Sequence, residues 1–227
     1  MVWYDYYYIV LVLPAVILSI VAQLSVKGTY KRMSKVQNHS GLTGAAAAAR
    51  VLSYYGISNV RIEPVSGTLS DHYDPRSNVI RLSSKVFSGT DIAAAGIACH
   101  EAGHAAQHAE GYAPIKIRNA ILPAANIGSS AGVLLAVLGY FLGFGLLVDI
   151  GIILFSAVIL FQLVTLPVEF NASSRAMKVI DETGMLSSQE QKGARKVLSA
   201  AAMTYVAALL VSLMSLLRLI LRYKSDD

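Results

Sequence analysis

The sequence predicts a mainly α-helical membrane protein with about four transmembrane helices and a small α+β domain. Hydrophobic residues make up 55% of the 227-residue chain and charged residues 15%, whereas soluble proteins carry roughly 25% charged residues. The mean hydropathy is +0.53. Charges are concentrated at residues 27–118 and 169–200. Long uncharged stretches therefore flank polar segments that together suffice for one small domain.

The net charge of +5 and the single cysteine narrow the class of protein further. In a membrane protein, an excess of Lys and Arg marks cytoplasmic loops, so we predict no nucleic-acid partner. Cys99 cannot form an intrachain disulfide because the chain has no second cysteine. It points about 100° away from its neighbour His100 on a helix, which favours a packing role.

Residues 1–26 are predicted to contain the first transmembrane helix. Residues 6–26 carry no charge and are long enough to cross a bilayer. A signal peptide would need basic residues before the apolar run, whereas here they follow it. No acid follows this run until Glu63, so the charge rule places the next domain in the cytoplasm. The basic residues before it are Lys27, Lys31, Arg32, Lys35 and Arg50.

Residues 27–120 are predicted to form this cytoplasmic domain. An Ala-rich helix is expected at 41–55, and alternating apolar and polar residues predict strands at 59–65 and 78–83. The segment Asp71–Arg76 is predicted to be a turn. The strand at 78–83 is expected either to be buried or to be an edge strand that pairs with an extended peptide.

Residues 121–166 are predicted to form a transmembrane helical hairpin, because Asp149 is the single charged residue in this stretch. The turn is expected near residues 143–145 or at Asp149. Pro167 is expected to begin a new helix, since proline is tolerated in the first helical turn.

Residues 167–199 are predicted to continue the polar domain, with a separate helix at 188–196. Residues 200–227 are predicted to form the fourth transmembrane helix and a short tail. A full fourth span places the C-terminus outside, next to Arg218 and Arg222, which the charge rule disfavours. A partly interfacial last helix and a reversed topology are the alternatives.

Residues 91–110 are predicted to form a buried helix, because small residues surround the sequence His-Glu-Ala-Gly-His at 100–104. His100 and His104 project from one face, one turn apart. Two imidazoles at this spacing can bind one zinc ion at about 2.0–2.1 Å. Glu101 lies at the edge of that face, where it can act as general base on a zinc-activated water. The alternative is a surface helix with solvated side chains.

A catalytic zinc ion needs a third protein ligand, for which there are two candidates. His108 lies about 12 Å along the helix from His100, too far to share one ion, so we predict a supporting or structural role. Glu169 follows a membrane span, where a carboxylate is costly unless it is bound. It is the predicted ligand, the alternative being an acid that stabilises a helix N-terminus. Ser173, one turn later, could orient a ligand.

Three further side chains are candidates for the surroundings of the site: His72, Tyr73 and Tyr205. Either of the first two could stabilise the oxyanion of a tetrahedral intermediate. The alternative for both is a structural role in the turn. The third could line the site, and its alternative is an interfacial tyrosine.

Four segments resemble the YugP-like neutral zinc metallopeptidases, a family of small bacterial membrane proteins. They are DHYDPR at 71–76, HEAGHAAQ at 100–107, LPVEFNAS at 166–173 and AAAMTYVAA at 200–208. More distantly, the chain is similar to the HtpX-like and CAAX-prenyl-type membrane proteases, which are gluzincins with H-E-x-x-H and a downstream Glu ligand.

This resemblance implies a zincin-like catalytic domain in which His100, His104 and Glu169 bind Zn²⁺ and Glu101 is the general base. In the more distant relatives, an Asp four residues after the Glu ligand supports a histidine ligand. This chain has Ser173 at that position, so the supporting role there is not carried over.

The predicted function is that of a membrane-embedded zinc metallo-endopeptidase of the bacterial plasma membrane, with its active site facing the cytoplasm. Its expected partners are a membrane-associated polypeptide substrate and the lipid bilayer, and a membrane-protein partner or a homo-oligomer is left open. The alternatives are a catalytically silent or regulatory membrane scaffold that retains zinc, and a hydrolase of non-peptide amides or esters. Glu101 favours the peptidase, because a structural zinc site needs no base.

Overall fold

The structure, a computed structural model, describes residues 5–225. Residues 1–4 and 226–227 of the predicted first and last segments lie outside the described residues. The chain divides into two compact units. We call the first the helical unit; it contains the chain up to Gln23, Pro114–Pro167 and the chain from Met203 onward. We call the second the α+β domain; it contains Leu24–Ala113 and Val168–Ala202.

Helices dominate the described residues. The helices are α1 (Leu13–Met33), α2 (Gly44–Tyr54), α3 (Ser84–Ser88), α4 (Ile92–Ala109), α5 (Ala113–Ile127), α6 (Val133–Leu142), α7 (Gly145–Glu182) and α8 (Ser188–Ser225). Short π-helical segments, Tyr8–Val12 and Gly128–Gly132, precede α1 and join α5 to α6. The strands are β1 (Arg61–Val65), β2 (His72–Asp74) and β3 (Val79–Ser83).

Four helical segments within residues 5–225 are long and apolar enough to cross a membrane. They are Tyr8–Met33, Ala113–Leu142, Gly145–Glu182 and Ser188–Tyr223. Each exceeds the ~20 residues that a bilayer requires. The predicted fold class, a mainly helical membrane protein with a small α+β part, is confirmed.

The third of these segments differs from the prediction at Pro167. Instead of beginning a new helix, Pro167 lies inside the continuous helix α7. Proline removes one backbone hydrogen bond, but membrane helices tolerate it where neighbouring groups satisfy the freed carbonyl. Beyond Pro167, the fully buried residues Val168, Ala172 and Ala176 recur every four residues, so packing along one helical face favours continuation of the helix.

The last segment also differs, because the separate helices predicted at 188–196 and within 200–227 are one helix, α8. Residues 194–225 contain neither glycine nor proline, so nothing interrupts the backbone hydrogen bonds between the two predicted pieces. The break between α6 and α7 falls at Gly143, which adopts a left-handed conformation with φ 69°. It therefore lies at the first of the two predicted turn positions.

The sheet of the α+β domain has the strand order β1-β3-β2. β1 is parallel to β3 and β2 is antiparallel to it, with Tyr73 opposite Ile80. The strands predicted at 59–65 and 78–83 are present. The prediction of a turn for Asp71–Arg76 is wrong at His72–Asp74, which forms β2. This three-residue strand is too short to show an alternating pattern. Its extended backbone conformation results from pairing with β3.

The central position of β3 rules out one predicted role. β3 has a neighbour on each side and is mostly buried, so its backbone groups are already paired within the sheet. The prediction that the strand at 78–83 is an edge strand for an extended peptide is therefore wrong, and the buried alternative is correct.

The core of the α+β domain packs α2, α4 and the sheet together with α7 and α8. Its largest fully buried side chains include Ile80, Leu82 and Val51. Helix α4 begins after Asp91, whose side chain accepts a 2.9 Å hydrogen bond from the backbone N–H of Ala94. The small residues of α4 are buried, as predicted, which allows its neighbours to approach closely.

Candidate metal centre

Three side chains from α4 and α7 meet inside the α+β domain. His100 and His104 lie one turn apart on α4, and Glu169 lies on α7. The Oε2 atom of Glu169 is 3.3 Å from Nε2 of His100 and 3.5 Å from Nε2 of His104. Glu169 is only 5% exposed, and one donor atom from each side chain lies within 4.8 Å of the other two.

These distances fit a shared metal ion. Zinc–ligand bonds of about 2.0–2.2 Å at tetrahedral angles place neighbouring donor atoms about 3.3–3.5 Å apart. Direct charge-assisted hydrogen bonds between imidazole and carboxylate would be shorter, about 2.7–2.9 Å. The donor set of two imidazoles and one carboxylate also matches catalytic zinc sites, which keep a fourth position open. The three residues could therefore hold a zinc ion.

The electrostatic surroundings of His104 favour a cation. Burial lowers the pKa of its imidazole, but the carboxylates of Glu169 and Glu101 outweigh this effect, and the pKa is raised. The same negative charge would stabilise a metal cation at this imidazole.

The outward-facing nitrogen of each histidine also has a partner. Nδ1 of His100 lies 3.1 Å from Oγ of Ser173, the side chain predicted to orient a ligand. Nδ1 of His104 lies 3.0 Å from Oε1 of Gln107, which sequence reasoning did not single out. Residues three apart on a helix are neighbours, so this spacing was a signal that could have identified Gln107. Such contacts hold the ring orientation of metal-binding histidines.

Glu101 lies beside this cluster but is not one of its three donor residues. Its side chain is largely buried, at 9% residue exposure, and Oε2 accepts a 3.0 Å hydrogen bond from the backbone N–H of Tyr73 in β2. This hydrogen bond fixes one oxygen of the Glu101 carboxylate against β2, which lies at an edge of the sheet. The other oxygen is then available to a molecule next to the cluster.

His108 and the two β2 side chains make contacts of their own. Nδ1 of His108 lies 3.0 Å from the hydroxyl of Tyr73, and His108 is outside the three-residue donor group. His72 is exposed, and its Nδ1 lies 2.8 Å from the carbonyl oxygen of Ser70. The roles at the oxyanion that were considered for His72 and Tyr73 stay predictions.

Two other residues singled out in the sequence lie elsewhere. Tyr205 belongs to the part of α8 in the helical unit and is 39% exposed, and its role at the site stays a prediction. Cys99 is fully buried, and its Sγ lies 3.9 Å from the sulfur of Met185. Burial raises the pKa of its thiol to about 12, so Cys99 is an unreactive packing residue.

A glycine sets the distance between α4 and α7. A Cβ atom added to Gly103 would lie 2.5 Å from the carbonyl oxygen of Ala172 and 3.2 Å from its carbonyl carbon. The backbones of the two helices are therefore close enough that no side chain fits between them. Gly103 precedes His104, and Ala172 follows Glu169 by three residues, so this contact brings the two halves of the donor set together.

Comparisons with known proteins identify a family and a relative of the chain. The sequence profile of a family described as "Putative neutral zinc metallopeptidase" matches residues 8–224. The chain is 50% identical over 214 residues to the "Putative membrane protease YugP" of Bacillus subtilis (strain 168). This match covers 94% of the chain and 95% of that protein. No solved structure is significantly similar to the chain.

Proposed function

This chain belongs to the neutral zinc metallopeptidase family, and from that premise we propose that it is a membrane-embedded zinc endopeptidase. One observation carries the proposal: donor atoms of His100, His104 and Glu169 lie close together. The carboxylate of Glu101 lies next to them but is not one of the donors. A structural zinc site closes all four positions with protein ligands and has no use for a neighbouring base.

The two histidines and Glu169 would hold the metal, each through one donor atom. Zinc bound there supplies Lewis-acid chemistry, lowering the pKa of a water molecule and polarising the substrate carbonyl. The charge of the donor set suits Lewis-acid chemistry. One carboxylate and two neutral imidazoles would leave the centre with a net positive charge when Zn²⁺ is bound.

Glu101 is the proposed general base. Its carboxylate takes a proton from the water as the water oxygen bonds to the carbonyl carbon. It then passes this proton to the amide nitrogen, so that the C–N bond breaks and the amine leaves. The backbone N–H of Tyr73 orients the carboxylate for this transfer. This N–H belongs to the backbone of β2, which is hydrogen-bonded to β3. Glu101 is therefore held by a rigid backbone group and not by a flexible side chain.

We propose that the active site faces the cytoplasm. The cluster of basic residues after the first span supports this orientation, and the arginines near the C-terminus are the opposing signal. In the helical unit, Arg218 forms a 2.5 Å ion pair with Asp5, and Nε of Arg222 donates to the hydroxyl of Tyr140 at 3.1 Å. Acids count little in the charge rule, so the opposing signal stands, and the larger number of basic residues after the first span outweighs it.

The proposed substrate is a membrane-associated polypeptide. Glu169 follows Pro167, the last residue of the helical unit in this part of the chain, by two residues. A metal ligand so close in sequence to a membrane span favours cleavage of chains that are presented near the bilayer surface.

Metal removal tests the proposal. The protein purified in detergent is expected to cleave a casein-type substrate, to lose all activity on treatment with a zinc chelator, and to recover it when Zn²⁺ is added back. Cleavage that persists in protein shown to be free of metal would contradict the proposal. A zinc-loaded protein that cleaves no polypeptide would favour the scaffold alternative.

A further inference from the structure

The inference concerns how His104 is held, and it rests on the proposed function of the same site. Gln107 is fully buried and lies one turn after His104 on α4. Its Nε2 lies 2.8 Å from the carbonyl oxygen of Val168 and 2.9 Å from Oδ1 of Asn171. A backbone carbonyl and an amide oxygen can only accept hydrogen bonds, so both contacts together favour the orientation in which the NH₂ group of Gln107 faces α7.

This orientation decides which nitrogen of His104 carries the proton. With NH₂ directed toward α7, the Oε1 atom of Gln107 faces Nδ1 of His104 at 3.0 Å. An amide oxygen can only accept, so Nδ1 must be the protonated nitrogen of the neutral ring. Nε2 then presents its lone pair on the side of Glu169, where a metal ligand is required.

The orientation of Asn171 depends in turn on Arg175. Nε of Arg175 donates to Oδ1 of Asn171 at 2.7 Å. A guanidinium group can only donate, so the amide of Asn171 must turn its oxygen toward Arg175, and the same oxygen accepts from Gln107. If Asn171 rotated, its NH₂ group would face Gln107 and favour the opposite orientation of the Gln107 amide.

Arg175 itself is held from several directions. Its Nη1 lies 2.6 Å from Oε2 of Glu110, and its guanidinium carbon lies 5.7 Å from the ring centre of Tyr55 and 5.9 Å from that of Tyr112. The side chain therefore has one well-defined position from which to direct Asn171.

We propose that Arg175 is a positioning residue that fixes the metal-binding tautomer of His104 through Asn171 and Gln107. None of the contacts described for Arg175 is with a proposed metal-donor atom. Its effect passes through two amide groups, each of which has one orientation compatible with all of its neighbours.

Zinc affinity measured by chelator competition tests this relay in the full-length protein. Arg175→Met and Asn171→Leu are expected to lower the affinity about 10-fold or more, as for other residues that support metal ligands. Asn171→Asp is expected to retain the affinity, because a carboxylate accepts from both Gln107 and Arg175. Lys178→Met is the control, because it removes a cation of the same helix that is paired with Glu182 and not with Asn171.

The tautomer is a second readout that a merely structural role would not change. The measurement uses metal-free Glu169→Ala protein with ¹⁵N-labelled histidine, which lacks the carboxylate that would itself favour a proton on Nε2. The His104 signals, at an alkaline pH where the ring is neutral, are assigned by their loss in His104→Ala. With Arg175 and Asn171 present, His104 is expected to carry its proton on Nδ1, and Arg175→Met and Asn171→Leu in the same background are expected to show a mixture of tautomers.

Unchanged zinc affinity, or an unchanged His104 tautomer, in folded Arg175→Met and Asn171→Leu would overturn the relay. A wild-type protein that binds no zinc would instead contradict the proposed function. The tautomer measurement needs no metal, so it decides the relay in either case.

Discussion

Replacing Glu101 by glutamine is expected to lower the rate of peptide hydrolysis by about 10²–10⁴-fold, the usual contribution of a general base. Glutamine has nearly the same shape and can still accept the hydrogen bond from the backbone N–H of Tyr73. It has no carboxylate to take a proton from water. Because Glu101 is not one of the three proposed metal donors, zinc content is expected to stay unchanged.

The comparison needs a matched acid away from the site. Glu182 at the end of α7 is exposed and paired with Lys178, and Glu182→Gln is expected to retain most of the activity. Cleavage rates for both variants and wild type, measured with equal zinc content, check the assignment. Equal rates for Glu101→Gln and wild type would remove Glu101 from the mechanism.

Replacing Gly103 by alanine is expected to have the second largest effect. The added methyl group would lie 2.5 Å from the carbonyl oxygen of Ala172, so the backbones of α4 and α7 must move apart. Such overpacking costs typically about 1–3 kcal/mol in the free energy of unfolding. Movement of α7 also carries Glu169 away from the histidines, so zinc affinity is expected to fall together with stability.

Gly96 provides the control for this substitution. It is also a buried glycine of α4, but a Cβ atom there would meet Cβ of Ala194 at 3.4 Å, an ordinary contact. Gly96→Ala is expected to be neutral or stabilising, because alanine is favoured over glycine in helices by about 1 kcal/mol. Thermal unfolding of the metal-free proteins in detergent distinguishes the two. A Gly103→Ala protein as stable as Gly96→Ala would contradict the close helix approach.

Local spacing explains what the sequence could predict. His100 and His104 share a face because of the helical repeat, and the start of α4 at Asp91 follows from a side chain that caps the helix. The long apolar stretches predicted four transmembrane segments because bilayer thickness sets their length. Each of these features depends on residues within a few turns of one another.

Features that depend on distant residues could not be predicted in the same way. β2 is a strand because it pairs with β3, and the central place of β3 depends on β1 as well. Gln107 meets Val168 and Asn171 only after α4 and α7 have packed. The pattern of apolar residues reveals that a helix is buried, but it does not reveal which polar side chains meet inside.

The third ligand remains the least local part of the proposed site. Glu169 is 65 residues from His104 in the sequence, yet their donor atoms are 3.5 Å apart. His108 is closer in sequence but contacts the hydroxyl of Tyr73 instead. Removing one carboxylate from a three-ligand zinc site leaves two imidazoles, which bind zinc far more weakly.

The zinc content of purified Glu169→Ala and His108→Ala therefore tests the proposed centre most directly. With wild type binding about one zinc ion per chain, we expect His108→Ala to retain this content and Glu169→Ala to lose most of it under the same dialysis. Full zinc occupancy in Glu169→Ala would contradict the proposed ligand set of His100, His104 and Glu169.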